Sequence, residues 1–147
     1  YIHPQWDDMG SRTLYLKILF ADYDDNYAII ELMGEWNDAI ENDIQTLKRG
    51  VIDLLIAHKI YKFILIGENV LTFHSDIDDY YAEWYEDICD HGGWIVAINF
   101  SPQVFHDFKM ARITHYMLFS EQENWRTLKP EHLFQKIDLD ILRSSGH

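Results

Sequence analysis

The feature that most constrains this chain is Phe63-Ile64-Leu65-Ile66, apolar at every position and bounded by Lys62 and Gly67. A run this short suits a strand better than a helix. A strand that buries one face alternates apolar and polar residues, whereas one that is apolar throughout is covered on both faces. A second such run, Trp94 to Ile98, follows Gly92-Gly93. Two strands of this kind call for a sheet with helices packed on it, and 147 residues suffice for one domain built that way.

The remaining elements can be placed around these runs. Leu14 to Phe20 and Tyr27 to Met33 flank Asp22-Tyr23-Asp24-Asp25-Asn26, a cluster of turn-forming residues that predicts an antiparallel hairpin, with Gly34 ending its second strand. Asp38 and Glu41 have capping-box spacing, so a helix is expected to start there and run to about His58. Its inner face would carry Ile40, Ile44, Leu47, Val51, Leu54 and Leu55. Asp78 to His91 reads as a second helix, with Tyr80, Tyr81, Trp84, Tyr85 and Ile88 on its apolar side. Ser101-Pro102 combines a capping hydroxyl with a proline suited to the first helical position, and Val104, Phe105, Phe108 and Ala111 continue that helix inward. His115 to Phe119 reads as a fifth strand and Pro130 to Ile137 as a terminal helix. The expectation is a single α/β domain over residues 1–143: an N-terminal β-hairpin, then alternating α and β, giving a mixed sheet of about five strands with about four helices and right-handed crossovers. The end of the chain, Ser144-Ser145-Gly146-His147, reads as a tag remnant or disordered tail.

Charge narrows the partners. Twenty-five acids against twelve Lys and Arg give a formal charge of −13, which repels phosphate backbones and anionic lipid, so neither nucleic acid nor a membrane surface is expected as a partner. No apolar run approaches the roughly 20 residues needed to span a bilayer. The middle of the chain is the acidic pole: residues 60–100 carry eight acids and one base, against six of each in residues 101–147. Cys89 is the only cysteine, which rules out an intramolecular disulfide and points to a reducing, cytoplasmic setting.

This order of elements, with Ile29-Ile30-Glu31-Leu32-Met33-Gly34-Glu35-Trp36-Asn37, the segment Lys62 to Ile77, and Gly92-Gly93 through Val104, resembles the STAS domains, which include bacterial anti-sigma factor antagonists and the cytoplasmic tails of sulfate transporters. In members that act as phosphorylation switches the loop reads Asp-Ser-Ser-Gly. The matching residues here are His74, Ser75, Asp76 and Ile77. Ser75 matches the acceptor, while His74 replaces the aspartate and Ile77 the glycine. The resemblance therefore makes His74, Ser75 and Asp76 a candidate regulatory loop, with a capping or loop serine as the other reading of Ser75.

The residues themselves carry no complete catalytic motif. Neither phosphate-loop glycine pattern is present, nor are a paired-histidine zinc spacing, a serine nucleophile elbow or a calcium loop. Cys89 lies between Asp87 and Asp90, whose charge disfavours a thiolate. No cofactor and no metal site is expected. The acids Asp79, Glu83, Glu86, Asp87 and Asp90 are expected to face water from the second helix, and with Tyr81 and Tyr85 they are the candidates for binding an unidentified protein partner with a basic surface. The favoured function is thus a non-enzymatic regulatory or interaction domain. Two alternatives stand beside it: an acidic inhibitor or immunity-type protein covering a basic nuclease, and a metal-assisted hydrolase using His74, Asp76 and Asp78, with His91 as an optional fourth residue.

Overall fold

The computed structural model describes residues 5–7, 14–37, 43–75, 78–122 and 125–145. Among these residues six strands form one sheet in sequential order: β1 (Gln5–Asp7), β2 (Leu14–Asp22), β3 (Tyr27–Asn37), β4 (Lys62–His74), β5 (Trp94–Ile98) and β6 (Leu118–Ser120). The first three are antiparallel neighbours, and β3 through β6 run parallel. Four helices connect or follow them: α1 (residues 43–57), α2 (Asp79–Cys89), α3 (Pro102–Met110) and α4 (Pro130–Ser145). The expected α/β architecture is present, with β1 as a short addition at the edge. Among the described residues no helix is long and apolar enough to cross a membrane.

The unbroken apolar strands are buried on both faces. Along β4, Phe63 and Leu65 join a core with Ile44, Leu47 and Leu55 of α1, Tyr81, Trp84 and Ile88 of α2, and Val104 and Phe108 of α3. Their neighbours Ile64 and Ile66 point the other way, into a second core with Leu133, Phe134 and Ile137 of α4. Period-two alternation thus divides one apolar run between two layers of helix. The second core is anchored by aromatic stacking, Tyr27 on Phe134 at 3.9 Å. Trp36 and Trp125 are buried in the first and second cores. Trp6 falls within β1.

Several boundaries differ from expectation. The Asp22–Asn26 turn forms as read: Asp22 Oδ1 accepts from the amides of Asp24 and Asp25, and Asn26 takes a positive φ. Gly34, however, does not end β3. It adopts φ 103° at an irregularity in the β3–β4 pairing, and the strand continues to Asn37. β4 likewise runs past Gly67 to His74, with two register shifts that re-aim its side chains. The proposed cap at Asp38 and Glu41 lies outside the described residues; α1 is helical from Asp43 and contains a π segment, Lys48–Ile52. The Ser101 hydroxyl accepts from the Val104 amide at 3.3 Å, as its position implied. The expected strand from His115 starts later, because Ile113–His115 forms a 3-10 turn after left-handed Arg112. α4 continues eight residues beyond Ile137, so Ser144 and Ser145 are helical.

The two glycines before β5 have different jobs, and that yields a test. Gly92 has φ 72° and open space around a would-be side chain, whereas a Cβ on Gly93 would collide with the Tyr61 carbonyl and lie 2.8 Å from Ile88 Cβ. Backbone cannot step aside cheaply. Gly93→Ala is expected to lower stability by about 1–3 kcal/mol through overpacking, and Gly92→Ala by about 1–2 kcal/mol through left-handed strain alone. Denaturant midpoints of the two variants measure this.

Candidate functional site

The region singled out by sequence is α2 and the loop before it. At about 100° per residue, a helix whose positions 81, 84 and 88 face the core carries 79, 86 and 90 on its outer crest, 80, 83 and 87 on one flank and 85 on the other. The structure follows that division. Tyr81, Trp84 and Ile88 are buried. Tyr81 is therefore corrected as a contact candidate: it lies 6.3 Å from Trp36, ring to ring, inside the first core. Tyr85 remains exposed, and its ring lies 6.1 Å from that of Tyr116.

The acidic side is not uniformly free. Two cations from the π segment of α1 reach across to it. Lys48, wholly buried, donates to Asp87 at 2.9 Å and to Asp53, and lies 3.8 Å from Glu83. Arg49 forms a two-pronged pair with Glu83, at 2.8 and 3.0 Å, and also donates to Asp53 at 3.0 Å. Its guanidinium sits over the Tyr80 ring. Glu83 and Asp87 thus do structural work, binding α2 to α1. Burial alone would lower the Lys48 pKa, but hydrogen bonds from its ammonium to Asp53 and Asp87 outweigh that and raise it. Asp53 shows the converse: desolvation pushes its pKa up, and the bonds from Lys48 and Arg49 bring it below the ordinary value. Asp79, Glu86 and Asp90 are the exposed acids of the crest.

At the start of α2, Asp78 occupies the N-cap without capping through its side chain. It accepts instead from the Tyr116 hydroxyl at 3.1 Å, and this bond, with the local carboxylates, raises the tyrosine pKa. His74 is exposed at the end of β4 and Ser75 is half-buried. Both line a cleft of about 260 Å³ with Asp107 and Met110 of α3 and Ala111 just after it, residues whose proximity no sequence spacing signalled. Asp76 lies outside the described residues. His91 stacks on Tyr61 at 4.1 Å, beyond the far end of α2, which puts roughly 16 Å of helix between it and the loop. His91 is thereby held away from His74 and Asp78. Among the described residues, no three His, Cys, Asp or Glu side chains are gathered as ligands for a metal ion.

A second polar assembly, invisible in the sequence, lies at the carboxyl ends of β5 and β6, beside the middle of β3 and β4. Glu68 accepts from Trp125 Nε1 at 2.9 Å, Arg126 at 3.0 Å and Asn99 at 3.2 Å, and these bonds offset its desolvation to leave its pKa lowered. Arg126 also reaches the buried Glu31 at 3.4 Å. α/β sheets commonly bind ligands at such strand ends. Here those groups bond one another.

Comparison with solved structures places this arrangement. The anti-sigma factor antagonist SpoIIAA in its unphosphorylated form superposes with a TM-score of 0.60 at 14% identity, covering 84% of this chain and 96% of that one. The fold is STAS-like. The Bacillus cell fate determinant SpoIIAA in its phosphorylated form gives a TM-score of 0.54 at 11% identity, over 83% of this chain and 98% of that one. A Thermotoga maritima protein described as a putative anti-sigma factor antagonist gives 0.56 at 15%, over 82% and 92%. No family profile and no curated sequence matches the chain. The STAS-like assignment thus rests on backbone architecture.

Lys48 should be the more costly residue of the α1–α2 clamp to lose. Removing one partner of a buried ion pair costs about 3–5 kcal/mol, and because its three carboxylates are each more than a third exposed, Lys48→Met is expected to cost less, about 1–3 kcal/mol. Thermal unfolding reads this directly. The same clamp sets an acid limit. A carboxyl whose folded pKa is depressed contributes stability that is complete above its unfolded pKa, near 3.8 for Asp53, and lost as pH falls through the folded value. Stability of the wild type should therefore fall as pH drops below about 4, and Asp53→Asn should flatten that part of the curve.

Proposed function

We propose that this chain is a non-enzymatic regulatory domain that binds a protein partner bearing a basic surface, through the loop His74, Ser75 and Asp76, the outer crest of α2 formed by Asp79, Glu86 and Asp90, and the ring of Tyr85. One observation carries the reading: α2 divides its acids, committing Glu83 and Asp87 to Lys48 and Arg49 while leaving the crest exposed beside an accessible tyrosine. Exposed carboxylates around an aromatic anchor suit orientation and partner choice. Likeness of fold to an anti-sigma factor antagonist supports a regulatory role. Within this reading Ser75 is a contact residue of the loop. A phosphate of about −2 there would add to the charge of Asp78 and Asp79, and no Lys or Arg falls between Lys62 and Lys109 to receive it.

The division of acids also selects the variant that tests the proposal. Reversal at Glu83 or Asp87 would break the clamp to α1 and confuse binding with stability. Asp79→Lys, Glu86→Lys and Asp90→Lys together leave the pairs of Lys48 and Arg49 in place. With the native protein as bait in host extract, the triple variant is expected to lose its main copurifying partner by at least about tenfold, with an unchanged melting temperature. Undiminished recovery of the same partner by a folded triple variant would overturn the assignment.

A further inference from the structure

We propose that the outer edge of β6 is a docking site for an extended segment of a partner protein, apolar at its centre and flanked by Lys or Arg, which adds to the sheet as a further strand. This surface is separate from the α2 crest. Among the described residues, β6 pairs with β5 and with no strand on its other side. Ser120 turns its carbonyl toward β5, where it accepts from the Asn99 amide at 3.0 Å. Backbone groups alternate sides along a strand, so Phe119, between Leu118 and Ser120, presents its amide and carbonyl outward.

What distinguishes this edge is an open cleft on each face of the sheet beside it. Toward α3, Phe100, Pro102, Phe105 and Phe119 line about 300 Å³. Toward α4, Leu118, Ile137 and Ile141 line about 190 Å³. An added strand points successive side chains to opposite faces, so consecutive apolar residues would fill the two clefts in turn while their backbone meets Phe119. The apolar walls are accessible: Leu118 is 50% and Phe105 38% exposed. Native edges are commonly protected by lysine or proline, and Leu118-Phe119-Ser120 has neither.

Charge chooses the occupant. Among the described residues the acids bordering the clefts are Glu121 and Asp140, and no Lys or Arg lines either one. A second copy of this chain would bring another −13 to the contact, whereas a segment with basic flanks is attracted. With only three residues in β6, backbone bonds are few, and affinity must come mainly from the side chains in the clefts.

The test uses the whole chain and a synthetic probe, acetyl-Lys-Val-Leu-Val-Lys-amide, followed by amide chemical shifts in NMR. Binding is expected with a dissociation constant of roughly 0.1–1 mM, as suits so short a segment, with the largest shifts at residues 118–121. Leu118→Lys and Phe105→Ala, both at exposed positions, should each weaken it at least about fivefold. Replacing the probe's lysines by glutamate, or methylating the nitrogen of its central leucine, should abolish it. The α2 triple variant should bind the probe normally, which separates this proposal from the function assigned to that helix. It is overturned if the probe does not bind, if its shifts map elsewhere, if N-methylation has no effect, or if sedimentation shows a dimer that Leu118→Lys dissolves, since a second copy would then be the occupant.

Discussion

Two-sided burial of the central strands is the constraint from which the rest of this structure follows. β4 and β5 carry apolar side chains to both faces of the sheet, and either face left open would expose a continuous hydrophobic surface. Three helices from the parallel crossovers close the first face. The second has no crossover to close it, and α4 does so from the end of the chain, seating Leu133, Phe134 and Ile137 against Tyr27, Ile64 and Trp94. Lys62 and Asp138 tie the seam at 3.2 Å, and Asp138 also accepts from Trp94 Nε1 at 3.2 Å. With both faces used for folding, the surfaces left for recognition are helix crests, loops and sheet edges.

Much of this could be read in the residues because it depends on local periodicity. The two apolar runs, the Asp22–Asn26 turn and the Ser101-Pro102 helix start each owe their form to neighbours in sequence. Burial of Tyr81 was also legible in principle, since 81, 84 and 88 share one helical face, but counting five apolar residues as a single side concealed it. Other features depend on partners far along the chain. β4 extends through Glu68 and Asn69 because β3 continues beside it, across a glycine that locally signals an end. Bonds from Lys48 to Asp87 and from Arg126 to Glu68 span 39 and 58 residues, and no spacing rule reaches that far.

These distant pairs alter what the chain's acidity means. A net charge of −13 describes the field felt at a distance, yet near α2 it overstates the charge that a partner could meet. Glu83 and Asp87 are already answered by cations of the π segment, a local widening of the helix of the kind that recurs at functional sites. Because α2 is pinned on that flank, its crest is held at a fixed height and orientation above the sheet. Recognition by a rigid helix costs less ordering entropy than recognition by a loop. The acids that bind inward therefore contribute to any contact made by those that face outward.

The opposite flank of α2 leads toward the sheet edge. Tyr85, Tyr116 and Leu118 line one cleft of about 250 Å³, so the aromatic side of the helix and the first residue of β6 border the same recess. Tyr116 also holds Asp78 at the head of α2, which ties the loop and the recess to one side chain. A partner lying along the helix crest and a strand added at β6 would thus approach neighbouring surfaces that share a wall. Simultaneous engagement would raise the effective concentration of the second contact without any new interaction, provided the partner spans the distance between them. Weak docking at a three-residue edge would be useful under that condition, because the proposed helix contact would supply the encounter and the edge a second, sequence-sensitive hold.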